Sequence, residues 1–477
     1  MRRLFRLLLA IEYACGLVAA NSPCRVELGA RLNIALRLIV ALSLSCCAAR
    51  QVTQPVPATS PKLPSTVASA AFLLQKTKKE RCLVDQKGNP FLLQGDAAWS
   101  LLVQLTREEA DHYLKDRWQR GFNALLMNLL EHKFARSAPK NAYGEAPFAE
   151  AGDFAQPNER YFAHVDWVLE RAAEYGFLVL LTPSYLGYDG GDEGWYRKMK
   201  NVGAAQLRAY GRYLGMRYRN LKNVIWVHGG DYYPPDFSVV QAVLDGVLES
   251  APDSKNSFHG TRGTAARKLL PEAQWLFLST IYTDEKSVVP AALAEHAASQ
   301  MPFILVEGRY EGEGASESIV RAQAYQAVLS GACGQIMGNK HVWSFDSEWK
   351  AALDSPGARS MSRMRMLLDM LAWWNLKPAG DGFIVEGAGT GGKRAAAAVS
   401  WDRRRAVVYV PSARELVLDA TYLEGANVKV SWVDPTPAHA PVAVRSPLAA
   451  ARRIALRTPG KNGSGNDDWL VVLDSIR

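Results

Sequence analysis

The chain has 477 residues, 48% of them apolar and thirteen of them tryptophan, with a formal charge of +9. That length exceeds what one compact domain ordinarily takes, and the composition excludes a disordered or low-complexity chain. It also argues against a nucleic-acid binder: residues 1–66 carry eight cations (Arg2, Arg3, Arg6, Arg25, Arg31, Arg37, Arg50, Lys62) against Glu12 and Glu27, so +6 of the +9 lies there, and the rest is too weak and dispersed to track a phosphate backbone.

The N-terminal stretch reads as export machinery. Arg31 and Arg37 precede an apolar run, Leu38 to Leu44, which ends in small residues and the pair Cys46-Cys47; this is the layout of a signal segment, assigned to residues 1–50. Met1 to Ser22 is a second signal-like segment, interrupted by Glu12. Such runs are too short to anchor a mature protein across a bilayer. Two outcomes stay open: a periplasmic or outer-membrane lipoprotein attached to the membrane through a lipid on Cys46 or Cys47, or simple secretion. Residues 51–70, rich in Pro, Ser and Thr, read as a disordered tether. Beyond it only Cys82 and Cys333 remain, which make neither a disulfide framework nor a zinc spacing and read as small core residues.

A repeating pattern begins near residue 71. Arg81 to Val84, a turn at Asp85 to Pro90 and Phe91 to Gly95 form a hairpin-like entry whose second arm is a first strand, ended by Asp96 and Trp99. Thr106, with Glu109 three residues on, is a capping box that starts a helix reaching Arg120. Phe122 to Leu130 follows as strand two, with Asn128 near its end, and then a loop, His132 to Pro157, that overhangs the predicted pocket. The helix Tyr161 to Tyr175 keeps Phe162, Val165, Val168, Leu169 and Ala172 on one face, a 3.6-residue period, and stops at Gly176. Phe177 to Leu181 is strand three; a loop with Tyr185, Tyr188 and Trp195 leads to the helix Ala204 to Tyr218 and to strand four, Asn223 to Val227. Ser257 to Gly260, Trp275 to Thr280, Phe303 to Val306 and Gly334 to Gly338 continue the series.

Eight strands alternating with helices predict an α/β chain with a (β/α)8 TIM barrel over residues 71–377. A doubly wound open sheet is the alternative, but no glycine-rich phosphate loop follows the first strand. Over residues 378–477 short runs between Gly, Pro and Asp (Phe383 to Gly387, Ala395 to Trp401, Ala406 to Pro411, Glu415 to Asp419, Val428 to Val433, Arg453 to Leu456, Trp469 to Leu473) predict a small antiparallel β-sandwich. It holds no titratable cluster, so support or surface binding is its expected role.

Two apolar runs end in acids. Asn223 to Val227 leads through Gly229-Gly230 to Asp231, and PFILVE ends at Glu307, 76 residues later. That interval is three βα units at about 25–30 residues each, which puts both acids on the catalytic rim of a barrel. Paired carboxylates there suit glycoside hydrolysis, by retention or inversion according to their separation. The bland alternatives are an Asx turn at Asp231 and a structural ion pair of Glu307 with Arg309 or Arg262. Asp96, Trp99, Asn128, His228, Tyr282, Tyr310 and Gln335 lie at other predicted strand ends and are candidate substrate-binding residues. His228 and His259 with the two acids can in principle hold a divalent metal, but no HxH or HExxH spacing supports this. The expectation is therefore no metal and no cofactor.

FLLQGDAAWSLLVQLTREEADHYLKDRWQRGFNALLMNLL, WVHGGD, PFILVEGRYEG and RAQAYQAVLSGACGQIMGNKHVW, in that order, resemble the apiosidase-like glycoside hydrolases, and the C-terminal part resembles a domain named for collagen binding that often follows them. The resemblance implies a barrel hydrolase with Asp231 as acid/base and Glu307 as nucleophile, acting by retention on a carbohydrate substrate from plant cell-wall pectin, with terminal apiose as the sugar. The chain departs from the family at residues 334–338, where a His or Tyr is expected to line the pocket. A monomer exported to the periplasm, outer membrane or medium is the expectation. The rivals are a non-catalytic carbohydrate-binding or adhesion protein on a barrel scaffold and a metal-dependent barrel hydrolase.

Overall fold

The computed structural model describes residues 75–76, 82–436, 442–443 and 447–476; the signal-like segment with Cys46 and Cys47 and the tether lie outside them. Eight strands form a closed parallel barrel: β1 Leu93–Ala97, β2 Ala124–Asn128, β3 Leu178–Thr182, β4 Val224–Gly229, β5 Lys255–His259, β6 Leu276–Tyr282, β7 Phe303–Glu307 and β8 Gly334–Met337. β8 pairs with β1, Gly334 opposite Leu93 and Met337 opposite Asp96, which closes the ring and excludes the open sheet. β1 starts two residues later than the apolar run because Pro90–Phe91 pairs instead with Leu83–Val84, in a short antiparallel flap that residues 75–76 complete.

Side chains alternate along these strands, and the alternation decides what reaches the active face. Leu93, Ala97, Ala124, Leu126, Leu178, Leu180, Ile225, Val227, Leu278, Ile304, Val306 and Ile336 pack together inside the barrel. The intervening residues face the surrounding helices: Leu305, for example, packs with Val288, Ala292 and Ala327. Burying each of these Leu, Ile and Val side chains stabilises the barrel by about 1.5–3 kcal/mol, so the strand parity is strongly fixed.

The helices begin and end where their local chemistry requires. Thr106 and Glu109 form the reciprocal capping box at the start of Arg107–Gln119. Asn158 caps Glu159–Glu174, whose buried face includes Phe162, Val165, Val168, Leu169 and Ala172. Past Leu376, a seven-stranded antiparallel sheet and a three-stranded one form the C-terminal β-sandwich, closed by a core that includes Val408, Leu416, Val430 and Leu473. Leu376–Pro378, 442–443 and Leu448–Ala449 were too short to show as strands in the sequence. Arg321, on the helix Glu317–Leu329, forms a two-pronged ion pair with Asp468 of the sandwich, both contacts at 2.7 Å.

Candidate active site

β4 delivers its acid through an unusual turn. Gly229, Gly230 and Asp231 have φ of 94°, 98° and 57°, three consecutive residues in the left-handed region that non-glycine residues rarely enter. Side chains have no room at the first two: a Cβ on Gly229 would lie 2.3 Å from the carbonyl oxygen of His259, and one on Gly230 2.4 Å from the ring of Tyr185. The turn folds Asp231 back over the barrel mouth. Its amide N–H donates to Nδ1 of His259 at 2.8 Å, and the Tyr185 hydroxyl donates to its Oδ2 at 2.7 Å. Oδ1 meets no hydrogen-bond partner among the described residues. The carboxylate is thus aimed outward from its own turn and is not an Asx-turn acceptor.

Glu307 reaches the same mouth by a different device. Strict alternation would send Val306 inward and Glu307 toward the helices. The β6–β7 pairing slips one residue between Leu305 and Glu307, and such a bulge re-aims a side chain. Glu307 Oε2 lies 3.0 Å from Nε2 of His259, though off the line of an ideal N–H···O bond. The arginines that would have made Glu307 merely structural are engaged elsewhere: Arg309 Nε lies 3.7 Å from Glu285, and Arg262 Nη2 donates to the Tyr282 hydroxyl at 2.6 Å. Side-chain atoms of Asp231, His259 and Glu307 converge within 4.8 Å of one another.

The electrostatics follow from that convergence. Burial, and then the charge of Asp231, push the Glu307 carboxyl above its ordinary pKa, against the opposing pull of His259 and Tyr310. A like charge this close favours the protonated form of Glu307. Because Nδ1 of His259 accepts the Asp231 amide, its single ring proton sits on Nε2, facing Glu307. A second proton would have to go on Nδ1, against the amide hydrogen; burial also resists it, while Glu307 and Asp231 favour it and leave the ring's pKa above the ordinary imidazole value.

The carboxylates open into a cavity of about 250 Å³ walled by Trp99, Phe134, Tyr185, Tyr310 and Trp343, with Asn128 and Arg262 at its sides. Trp99 Nε1 donates to the Tyr310 hydroxyl at 2.8 Å. Phe134 packs edge-on against Tyr185 and Trp343, with centroids 5.6 and 5.1 Å away. Rigid aromatic faces beside paired acids are what the apolar C–H faces of a sugar ring require.

Of the residues proposed from sequence, Trp99, Asn128 and Tyr310 join Asp231 and Glu307 on the cavity wall. Tyr282 stands just behind, its ring 5.0 Å from that of His259. Three do not reach the cavity. Asp96 is fully buried toward the helices and accepts from the Tyr113 hydroxyl at 2.7 Å, with Arg117 at 3.5 Å. His228 is buried with its Nε2 3.0 Å from Asn256, and Gln335 points its amide at the Met361 sulfur, 3.3 Å away. All three have outward parity: Ala97, Val227 and Ile336 beside them face in. His228 therefore drops out of the four-residue metal proposal. Phe134 and Trp343 carry no sequence signal that marks them for the site, Tyr185 shows in the sequence only as a loop aromatic, and His259 only as a possible metal ligand.

Comparisons with known proteins agree with this geometry. Residues 77–375 match the family described as apiosidase-like, catalytic domain, and residues 380–474 match a family described as a proposed collagen-binding domain of a collagenase. Among solved structures, a glycoside hydrolase family 5 protein from Bacteroides vulgatus superposes with a TM-score of 0.74 at 20% identity, covering 84% of this chain and 92% of its own. A second structure, titled a glycoside hydrolase, gives 0.73 at 21% identity, covering 84% and 96%. No curated protein matches. With a family match spanning the whole barrel, the chain belongs to the apiosidase-like catalytic domains and is a glycoside hydrolase.

Proposed function

We propose that the protein removes a terminal sugar from plant cell-wall polysaccharide, acting on pectic side chains by a retaining, two-carboxylate mechanism. The observation that carries this is that one carboxylate oxygen of Asp231 lies within 4.8 Å of one of Glu307. Retaining enzymes hold their carboxyl groups about 5–5.5 Å apart, whereas inversion needs roughly 6.5–9.5 Å to seat a water between them. Asp231, the outer acid, protonates the departing glycosidic oxygen while Glu307 attacks the anomeric carbon and forms a glycosyl ester. Asp231, now a carboxylate, takes a proton from the water that hydrolyses this ester, and Glu307 leaves as a carboxylate. The exo mode is supported by the cavity, whose 250 Å³ is small beside the roughly 300–1,000 Å³ of common ligand sites. The pectic substrate, with terminal apiose first among candidates, is supported by the family match over residues 77–375.

A specific observation raises a second reading, a divalent ion held by Asp231, His259 and Glu307. The histidine tautomer argues against it. Nδ1 is occupied by the Asp231 amide, so Nε2 carries a hydrogen and has no lone pair to offer a metal. Full activity after exhaustive chelation is the result expected; loss on chelation with recovery on adding back Zn²⁺ or Mn²⁺ would restore the metal reading.

The decisive test is release of sugar from apiose-bearing and other pectic oligosaccharides by the wild type, Asp231→Asn and Glu307→Gln, with the product anomer followed by NMR. Retained configuration, and a loss of several orders of magnitude in each variant, are expected. An inverted first product or a fully active variant rejects the mechanism. We further propose export to the periplasm, outer membrane or medium, supported by the run Leu38 to Leu44 before Cys46-Cys47; mass spectrometry of the protein from its native host reads the lipid directly.

A further inference from the structure

We infer that Asn128 is a specificity-determining residue that reads two neighbouring hydroxyl groups on the sugar seated against Asp231 and Glu307, an inference that rests on the hydrolase reading above. Asn128 ends β2, where its amide N–H donates to the Trp99 carbonyl at 2.9 Å and it stands in register with Thr182 of β3. It shares the inward parity of Ala124 and Leu126, and it lines the same cavity as the two acids. Its side chain is 1% exposed, yet among the described residues neither Oδ1 nor Nδ2 meets a hydrogen-bond partner, and the buried hydroxyl of Thr182 beside it meets none either.

The other neutral polar groups of the cavity wall are already engaged. Tyr185 donates to Asp231, Trp99 to Tyr310, and Trp343 to Glu313. Asn128 alone among these neutral lining residues keeps both ends open. A buried amide without partners destabilises a fold, and an apolar residue of the same size would pack better. Its retention at this place is accounted for if the ligand completes it.

The chemistry of the amide narrows the ligand. It offers one acceptor and two donor hydrogens in a single plane, on a strand end that cannot swing away. A hydroxyl both donates and accepts, so hydroxyls on two adjacent ring carbons engage Oδ1 and Nδ2 together. A carboxylate only accepts and engages one end; a single hydroxyl also leaves one end open. The match survives a flip of the amide, because the two hydroxyls exchange roles. The ligand class is therefore a neutral sugar bearing a vicinal diol, and the site discriminates against deoxy sugars and against sugars substituted at either oxygen.

The test compares the wild type with Asn128→Ala and Asn128→Leu. On the 4-nitrophenyl glycoside that the wild type cleaves best, each monodeoxy analogue missing one of the two hydroxyls should lose about tenfold to a hundredfold in kcat/KM. Asn128→Ala should show that same loss on the parent glycoside and no longer distinguish it from the analogues. Asn128→Leu should melt no lower than the wild type, which separates ligand recognition from a structural role. Wild-type discrimination retained by Asn128→Ala, or a lower melting temperature with unchanged discrimination, overturns the inference. Binding of a panel of neutral pentoses and hexoses to Glu307→Gln, with and without Asn128→Ala, is read by saturation-transfer NMR. Binding lost with Asn128→Ala supports the subsite even if the wild type hydrolyses nothing, an outcome that counts against the hydrolase reading alone. Equal binding by both proteins, or none by either, overturns it.

Discussion

The Tyr185 hydroxyl donates to Oδ2 of Asp231 at 2.7 Å, and the ring that carries it occupies the place where a Cβ on Gly230 would stand. One aromatic residue therefore both orients the acid and requires the glycine before it. Tyr185→Phe keeps the ring and removes the donor. A hydrogen bond to a charged group contributes about 1.5–3 kcal/mol, so kcat/KM should fall roughly tenfold to a hundredfold, with the melting temperature lowered by only a few degrees. Gly230→Ala meets both the ring and a φ of 98°; it should lose activity outright and about 1–3 kcal/mol of stability or more. Wild-type kinetics in Tyr185→Phe would show that Asp231 is oriented by something else.

The carboxyl pair makes a directional prediction about pH. Glu307 is held above its ordinary pKa by burial and by the neighbouring charge of Asp231. The acid limb of the rate profile reports protonation of the attacking carboxylate, and Asp231→Asn removes the like charge that disfavours its ionised form. Glu307 should then ionise at lower pH, and the acid limb should move down. A 2,4-dinitrophenyl glycoside, whose leaving group needs no proton, lets this be measured in a variant that has lost its acid. An acid limb that stays in place or moves up would mean that the charge of Asp231 does not hold the Glu307 carboxyl up.

What the sequence made legible, and what it hid, divides along strand parity. The eight apolar runs each became a barrel strand, and Ala204–Tyr218 begins and ends where its pattern does, because those signals are local. Asp231 and Glu307 were legible as acids placed just past such runs. Asp96, His228 and Gln335 looked equivalent by the same rule, yet each lies on the outward side of its strand, where the period of two sends it to the helices. Counting inward from Ala97, Val227 and Ile336 would have separated them. The same count would wrongly have rejected Glu307, since the register slip that turns it inward has no local sequence mark. Tyr185, Phe134 and Trp343 come from three loops, and only closure of the ring brings them together.

Glu131 gives the fold its own pH dependence. It lies three residues past β2, is 1% exposed, and accepts from the amide of Ala135, next to the cavity residue Phe134. Burial pushes its carboxyl up to about 7, with Ser100 and the amides of Ala135 and Phe134 pulling the other way. Between the ordinary value of 4.5 and about 7 the unfolded chain has released this proton while the folded chain keeps it. Stability therefore falls as pH rises through that window, by roughly 3 kcal/mol in all. Glu131→Gln should equal the wild type near pH 4.5 and exceed it at pH 8 in urea unfolding. Parallel curves for the two proteins across that range would show that Glu131 ionises freely in the folded state.

Arg321 and Asp468 tie the sandwich to the barrel through a pair that water does not reach, at 0% and 1% exposure. Arg321 Nη1 also donates to Ser360 at 2.9 Å, while Asp468 accepts from Tyr409 at 2.7 Å and from Asn462 at 2.8 Å. Beside the pair the rings of Tyr325 and Tyr409 stack with centroids 4.9 Å apart. Removing one partner of a buried pair strands the other charge, at about 3–5 kcal/mol, whereas replacing both with apolar residues is often neutral. Arg321→Met should thus lower the melting temperature sharply, and Arg321→Met with Asp468→Leu should recover much of that loss. Because these contacts join the helix Glu317–Leu329 to strands of the sandwich, the single variant should also split one calorimetric transition into two. A single transition at the wild-type temperature in Arg321→Met would mean that the apolar contacts around the pair hold the two domains together without it.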